Sequence, residues 1–496
     1  MRRNPLAVHI GLTATPRELR QSRHQTVADA DITANNHAYF GEPVYEYTLI
    51  QAQHDGYLAA CEVVRRRVSV DGDIYTATDV VAAVGTEAST GRRVTADEIK
   101  PAYDARQFDR ELLIPERVQA MCEDLFKQLL RNGGTPEQKL IIFCTRDLHA
   151  DRVATALNDL YAVWCREQGR TPKDSYAFKC TAEAGGQHIE SMRGFAERHF
   201  IACTVDLLAT GVDIERLNAV VFFGYLESPI SFYQMVGRGT RIHEATRKYK
   251  FWLYDYTGVT QLFGTAFITD PPRPPKPPPP PPPRDGPPGP PPPPPPPPGP
   301  VVIVIKGQEV HVTPAGRFVP VERGGRDTLM PLDEYRAEVV ERVLREASTL
   351  ADFRALWVHK QARTRLIDHL LAERYNPDFL RHIDQMTDYD LYDIFAHHGY
   401  HAGARTREGR EAAYLAQNAP WFAGLPQQQQ GAIVLKPAEV LKRLGSQFAR
   451  DGTEALESRQ LWNLPRIREV GGLDALALLG KPAAVVLDAK NRLFSA

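Results

Sequence analysis

SFYQMVGRGTR, from Ser231 to Arg241, reads as a short helix with two faces. Ser231 is a candidate N-cap, and Phe232, Met235 and Val236 fall at i, i+3 and i+4, an apolar stripe for a core. Gln234, Arg238 and Arg241 fall at i, i+4 and i+7, a second stripe of the same helix. One amide and two guanidiniums then converge on one locus. A guanidinium stays charged and its planar fork matches phosphate oxygens, so such a comb suits a polyphosphate. Alone, the pattern fits a solvated basic face better. The flanking sequence decides.

Upstream, FIACTVDLLATGVDIERLNAVVFF (Phe200 to Phe223) is an apolar run, a Thr-Gly-Val-Asp turn and a second apolar run. Before it, LIIFCTRDLHADRV (Leu140 to Val153) is an apolar strand, a polar turn and the start of an amphipathic helix. GLTATP (Gly11 to Pro16) lies near the N-terminus. In order and chemistry these stretches resemble motifs III, IV, V and VI of superfamily 2 helicases and translocases, with QMVGRGTR the most specific. FGEPVYEYTLIQAQHDGYLA, from Phe40, narrows the resemblance to the motor subunit of type I restriction endonucleases, HsdR. The closing LWNLPRIREVGGLDALALLG is similar to the C-terminal helical region of that family.

The expected fold class is α/β: a RecA-like parallel-sheet helicase lobe, a polyproline linker and a mainly α-helical C-terminal domain. Strands alternating with amphipathic helices argue for a parallel sheet covered on both faces, with ligands outside the strands' carboxyl ends. Residues 1–34 read as a remnant of the first RecA-like lobe and 35–265 as the second. Residues 266–300 read as a proline-rich linker, 301–330 as a small β-hairpin region turning near Lys306-Gly307, and 331–496 as a helical docking domain. Val44 to Leu49 reads as a strand leading into a helix, residues 62–110 as an inserted hairpin, and Thr349 to Ala372 as one helix. The proline tract, Pro271 to Pro300, favours extended polyproline II of roughly 90 Å at about 3.1 Å per residue. It serves as a stiff spacer or as a ligand for a proline-binding domain.

The net charge of −1 gives no overall attraction to nucleic acid, so any DNA contact must use local grooves. Six cysteines form no CxxC pair, and Cys144 and Cys203 sit inside apolar runs as buried thiols do. No signal-peptide core and no membrane-length apolar run occur, so a cytoplasmic protein without membrane contact is expected. The sequence holds no GxxxxGK[ST] phosphate loop, and neither Asp97-Glu98 nor Asp333-Glu334 closes an apolar strand as an acidic metal-binding box would. It therefore reads as the C-terminal part of a motor. Either a separately encoded N-terminal half completes it, or it is a non-catalytic DNA- or partner-binding remnant.

The resemblance implies roles residue by residue. Arg238 and Arg241 would act as catalytic arginines on the ATP phosphates, with Gln234, Gly237 and Asp213 as further nucleotide-site residues. Asp213 would contact ribose or pair with a motif VI arginine; otherwise it makes a loop Asx-turn. Thr210 and Gly211 would offer a hydroxyl and an N–H to a DNA phosphate, and Thr145 and Arg146 would do the same or else cap the following helix. Thr13 and Thr15 would couple nucleotide state to DNA contacts. ATP and Mg²⁺ are the implied cofactors; duplex DNA and the methyltransferase and specificity subunits are the implied partners. No metal site of this chain's own is expected: His397, His398 and His401 lack a matching Cys or carboxylate. AVVLDAK (Ala484 to Lys490), which ends like a PD-(D/E)xK nuclease site, has no convincing upstream Asp on a neighbouring strand.

Overall fold

A computed structural model of the chain describes residues 12–13, 18–19, 40–181, 188–194, 198–205, 213–265, 268–269, 301–455 and 465–495. The proline tract, Thr15, Thr210 and Gly211 lie outside these residues. The chain divides into two compact units, residues 1–50 with 61–329 and residues 51–60 with 330–496.

The first unit is built on an eight-stranded sheet. In chain order its strands are β1 (Ala60–Val68), β2 (Leu140–Phe143), β3 (Ala177–Lys179), β4 (Ile201–Thr204), β5 (Ala219–Phe222), β6 (Lys250–Asp255), β7 (Val312–Arg323) and β8 (Arg326–Pro331). Their spatial order is β8-β7-β1-β6-β5-β2-β4-β3. The block β6-β5-β2-β4-β3 is wholly parallel. Its central strands LIIF, IACT and AVVF are buried at every residue, as a sheet covered on both faces requires. Helices α1 (Pro115–Gly133) and α2 (Asp147–Glu167) bring Met121, Leu125, Leu129, Val153, Leu157 and Tyr161 into one core with Ile142, Cys203 and Val221. On the alternate residues, Phe143 stacks on Phe222 (5.5 Å between ring centroids), which meets Phe232 of α3 (Pro229–Val236) at 5.7 Å.

Several local expectations are corrected. Val44 and Tyr45 are fully or largely exposed and belong to no strand; only the helix Leu49–His54 forms there. Residues 62–110 do not form a separate hairpin, because β1 is a strand of the large sheet, antiparallel to β7, with Val68 opposite Val312 and Val63 opposite Phe318. The fully buried Glu62 carboxylate fixes this pairing, held by Lys250 of β6 and Arg317 of β7. Nor do residues 301–330 turn back at Lys306-Gly307. Ile303–Val304 pairs in a three-stranded sheet with Thr86–Glu87 and Leu112–Leu113, and the hairpin is instead β7–β8, turning through Gly324 and Gly325 at positive φ.

In the second unit, α4 (Leu332–Glu346), α5 (Leu350–Val358), α6 (Lys360–Ala372), α7 (Pro377–Ile383) and α8 (Leu391–Tyr400) are followed by α9 (Arg407–Gln417), α10 (Pro437–Ala455) and α11 (Pro482–Ser495). Thr349 caps α5 through the Asp352 N–H as the sequence suggests, but the helix stops at His359, whose backbone is extended. The buried Arg363 guanidinium takes the Trp357 carbonyl released by that break. Phe353, Trp357, Tyr392 and Phe395 form the aromatic centre. Arg410 lies between Tyr392 and Phe494, each 5.1 Å away, paired with Asp393. Among the described residues no helix is long and apolar enough to cross a membrane.

Candidate functional site

The stretch that organises the sequence folds differently from a single two-faced helix. Helix α3 starts three residues earlier than expected, with Ser228, not Ser231, accepting the Ser231 N–H (3.3 Å) and Pro229 in the first turn. It ends at Val236. Gly237 follows as the cap, and successive N–H groups of Arg238, Gly239 and Thr240 bond back three residues in a tight run of turns. Phe232, Met235 and Val236 are buried as the spacing requires. Gln234 stays on the helix, half-buried, whereas Arg238 and Arg241 sit on the turns beyond it. The helical comb is therefore corrected: two glycines within three residues stop the helix before the arginines.

Gly239 is the glycine the geometry demands. A Cβ there would lie 2.3 Å from Cδ2 of Phe251, a fully buried ring on β6, whereas at Gly237 it would meet the Tyr233 carbonyl at 3.1 Å and the Gln234 carbonyl at 3.5 Å. Sequence reasoning singled out Gly237 and passed over Gly239. The repeated glycine in GRG was the available signal.

Asp213 comes from the loop before β5 and meets the turn. Its Oδ2 lies 3.1 Å from Arg241 Nη2, with both side chains about half exposed, at 56% for Arg241 and 48% for Asp213. Arg238 is half-buried. Burial lowers its pKa, Asp213 opposes that fall and the Arg241 charge adds to it, so the three groups share one field. Tyr233, one turn back, donates its hydroxyl to Asp327 (3.0 Å) and accepts the Gly264 N–H (3.0 Å), anchoring α3 on its other side.

The loop Cys144–Arg146 closes β2 at its carboxyl end. Arg146 occupies the cap position of α2 without a side-chain cap bond, and its guanidinium donates to the Arg110 carbonyl. The Thr145 N–H donates to Nδ1 of the buried His149 (3.3 Å), and its hydroxyl is buried without a hydrogen-bond partner among the described residues. Gly224, just past β5, backs onto this loop so closely that a Cβ would stand 3.0 Å from the Thr145 nitrogen. Beneath it Arg117 is fully buried, donating from Nε to Asp71 (2.7 Å) and from Nη1 to Asp109, while Tyr225 donates to Asp71 (2.8 Å). Burial drives the His149 pKa down, the Asp109 carboxylate opposing.

Of the remaining candidates, Thr13 is exposed in an isolated described pair of residues, and Thr15, Thr210 and Gly211 fall outside the described residues. No three His, Cys, Asp or Glu side chains among the described residues could hold a metal ion. His398 instead bonds Asp384 (2.7 Å), and His401 ends α8 in the left-handed conformation. AVVLDAK lies in helix α11, where Asp488 pairs with Arg492.

Residues 121–243 match the helicase conserved C-terminal domain. The chain is similar to the type I restriction enzyme EcoAI endonuclease subunit of Escherichia coli, 33% identical over 260 residues, covering 52% of this chain and 29% of the relative. It is also similar to the EcoKI endonuclease subunit of E. coli K12, 30% identical over 258 residues, covering 50% and 20%. These alignments thus span less than a third of each relative's length. A fragment described as an HsdR subunit of a type I restriction enzyme from Vibrio vulnificus YJ016 is 26% identical over 50% of this chain and 42% of that one, with a TM-score of 0.34. Over about half its length, then, the chain is similar to type I restriction endonuclease subunits, and residues 121–243 carry the match to the helicase conserved C-terminal domain.

Proposed function

We propose that this chain carries the second RecA-like lobe of an ATP-dependent DNA translocase of the type I restriction class. The observation that supports it best is the gathering of Asp213, Arg238 and Arg241 from two separate segments. A triphosphate fits these groups: two adjacent guanidiniums, one half-buried and one exposed, share a single carboxylate and so carry a net positive charge. Arg241 exchanges or shares Asp213 for phosphate oxygens, while Arg238, with water partly excluded around it, faces the charge that spreads over a transferring phosphoryl group. Bound ATP supplies the phosphoryl chemistry. Gln234 and Gly237 set where α3 ends and the arginines begin. The described residues offer Mg²⁺ no cluster of ligands, and no step is derived through it.

Duplex DNA is the proposed track, held by sequence-independent phosphate contacts. With the Thr145 hydroxyl buried, Arg146 is the member of that pair that makes the contact, and Thr145 seats the loop. Thr210 and Gly211 contact a second phosphate, and Thr13 and Thr15 couple the two lobes. Residues 331–496 dock the motor on methyltransferase and specificity subunits in the cytoplasm.

The test is DNA-stimulated ATP hydrolysis by the chain, alone and completed by a first lobe bearing a phosphate loop, with Arg238→Ala beside the wild type. The chain alone is expected to stay at background. The completed motor is expected to turn over ATP, with Arg238→Ala slower by about 10²-fold or more. Turnover that Arg238→Ala leaves unchanged would refute the assignment.

A further inference from the structure

Lys248 is a buried ammonium with no part in the reading so far. Its Nζ donates to the Gly239 carbonyl (2.6 Å), on the residue after Arg238, and to the Arg241 carbonyl itself. The residue is 5% exposed, and its Nζ stands 5.8 Å from the centroid of the Phe251 ring. The backbone closes the same loop, with the His243 N–H donating to the Lys248 carbonyl (3.1 Å) and the Lys248 N–H to that of His243 (3.0 Å). We propose that Lys248 is a positioning residue: by clamping the Gly239 and Arg241 carbonyls, its ammonium sets the direction in which Arg238 and Arg241 present their guanidiniums to phosphate. This rests on the phosphate-binding role proposed for those arginines.

The geometry favours orientation over stability as the purpose. A turn that needed only to be filled would fold more readily around an apolar side chain, because a buried cation without a counter-ion is costly. Among the described residues no carboxylate shifts the Lys248 pKa. Burial alone does, bringing it down to about 7. The charged groups of the surrounding loop have their own engagements: Arg241 pairs with Asp213, and His243 Nδ1 meets the Thr246 hydroxyl (2.7 Å). Glu244 and Arg247 lie exposed on the connecting turn, and β6 presents the Phe251 ring. The clamp is thus charge-assisted below neutral pH and weakens as the ammonium loses its proton.

Fold and site then respond to pH in opposite directions. Between about 7 and the ordinary lysine value the unfolded chain binds the extra proton, so raising the pH favours the folded state. Grip on phosphate falls over the same interval.

The experiment measures affinity of the full chain for a fluorescent ATP analogue from pH 6 to 9, for wild type, Lys248→Met, Lys248→Arg and Arg238→Ala. Wild-type affinity is expected to drop as pH passes about 7, and the drop is expected to vanish in Lys248→Arg, which keeps its charge and leaves His243 in place. Lys248→Met is expected to bind about tenfold more weakly at pH 6, with β6 as well protected as in wild type by native-state hydrogen exchange. Wild-type affinity flat across this range, or Lys248→Met binding like wild type while Arg238→Ala binds weakly, would overturn the proposal. Arg238→Ala without effect would instead sink the phosphate role of the arginines. In that case hydrogen exchange over residues 238–243 decides the clamp: faster exchange in Lys248→Met supports it and unchanged exchange overturns it.

Discussion

Gly239→Ala should be costly for a reason the structure makes quantitative. The new methyl would stand 2.3, 2.6 and 2.9 Å from Cδ2, Cε2 and Cγ of Phe251. Carbon atoms attract at about 3.5–4.0 Å, so the shortfall at the nearest atom exceeds 1 Å. Phe251 is fully buried on β6 and cannot swing aside, so the turn must lift. Overpacking of this kind costs about 1–3 kcal/mol. Gly237→Ala, at ordinary right-handed dihedrals with one carbonyl at 3.1 Å, should cost about 0.5 kcal/mol or less. The chain has two units, so one melting curve would mix them. Native-state hydrogen exchange of β6 peptides reads the local free energy directly. The double variant Gly239→Ala/Phe251→Leu should recover part of the loss, since contacting residues couple. A Gly239→Ala variant as stable as Gly237→Ala, or no recovery in the double variant, would refute the close approach as the reason for this glycine.

Arg117→Leu should cost about 3–5 kcal/mol in urea unfolding of the first unit, because Asp71 and Asp109 lose the cation that compensates them. Burial, with Arg381 adding to it, holds the His382 pKa at about 4. Because this value is depressed, the contribution is complete above the ordinary histidine range and is lost as pH falls through about 4, at most about 3 kcal/mol in all. Native-state hydrogen exchange of peptides from α7 between pH 4 and 7 should show that slope, and His382→Phe should flatten it. All six cysteines are buried; burial lifts Cys180 to about 11 and Cys61, Cys122, Cys144 and Cys203 higher. None should react with a thiol reagent at pH 8 until the chain is denatured, as a colorimetric titration would show.

The parallel block was legible because its signals are local. LIIF, IACT and AVVF each announce a strand buried on both faces, and the helix after LIIF carries its apolar stripe within one window. The strands that widen the sheet were not legible. Val68 pairs with Val312 and Arg67 with Thr313 across about half the length of the chain, and no window of sequence records such a partner. The alternating, charged run that includes Arg65-Arg66-Arg67 suggested an inserted hairpin. Its charges instead have partners, with Arg65 bonded to Thr260 and Arg66 to Asp124. The convergence of Asp213 with the arginines was foreseen as one option for that acid, whereas the end of α3 at the two glycines was not, because the contacts that seat the following turn, Phe251 against Gly239 and Lys248 on the Gly239 carbonyl, lie beyond the stretch being read.

This division bears on where the helicase domain ends as a folding unit. The family match stops at residue 243, before β6, yet β6 is hydrogen-bonded along the whole of β5 and supplies the ring that receives Gly239. At the other boundary, Asp71, Asp109 and Arg117 precede the match and form the charged bed under His149, which holds the Thr145 loop. A fragment of residues 121–243 would leave β5 with an open apolar edge, and its own Tyr225 would lose Asp71. It should therefore aggregate or stay unfolded. Residues 40–331, which restore β1, β6, β7 and β8, should give a dispersed helical and β-rich circular dichroism spectrum. A soluble, cooperatively melting 121–243 fragment would show that the added strands decorate the lobe; failure of that fragment alone would show that they complete it.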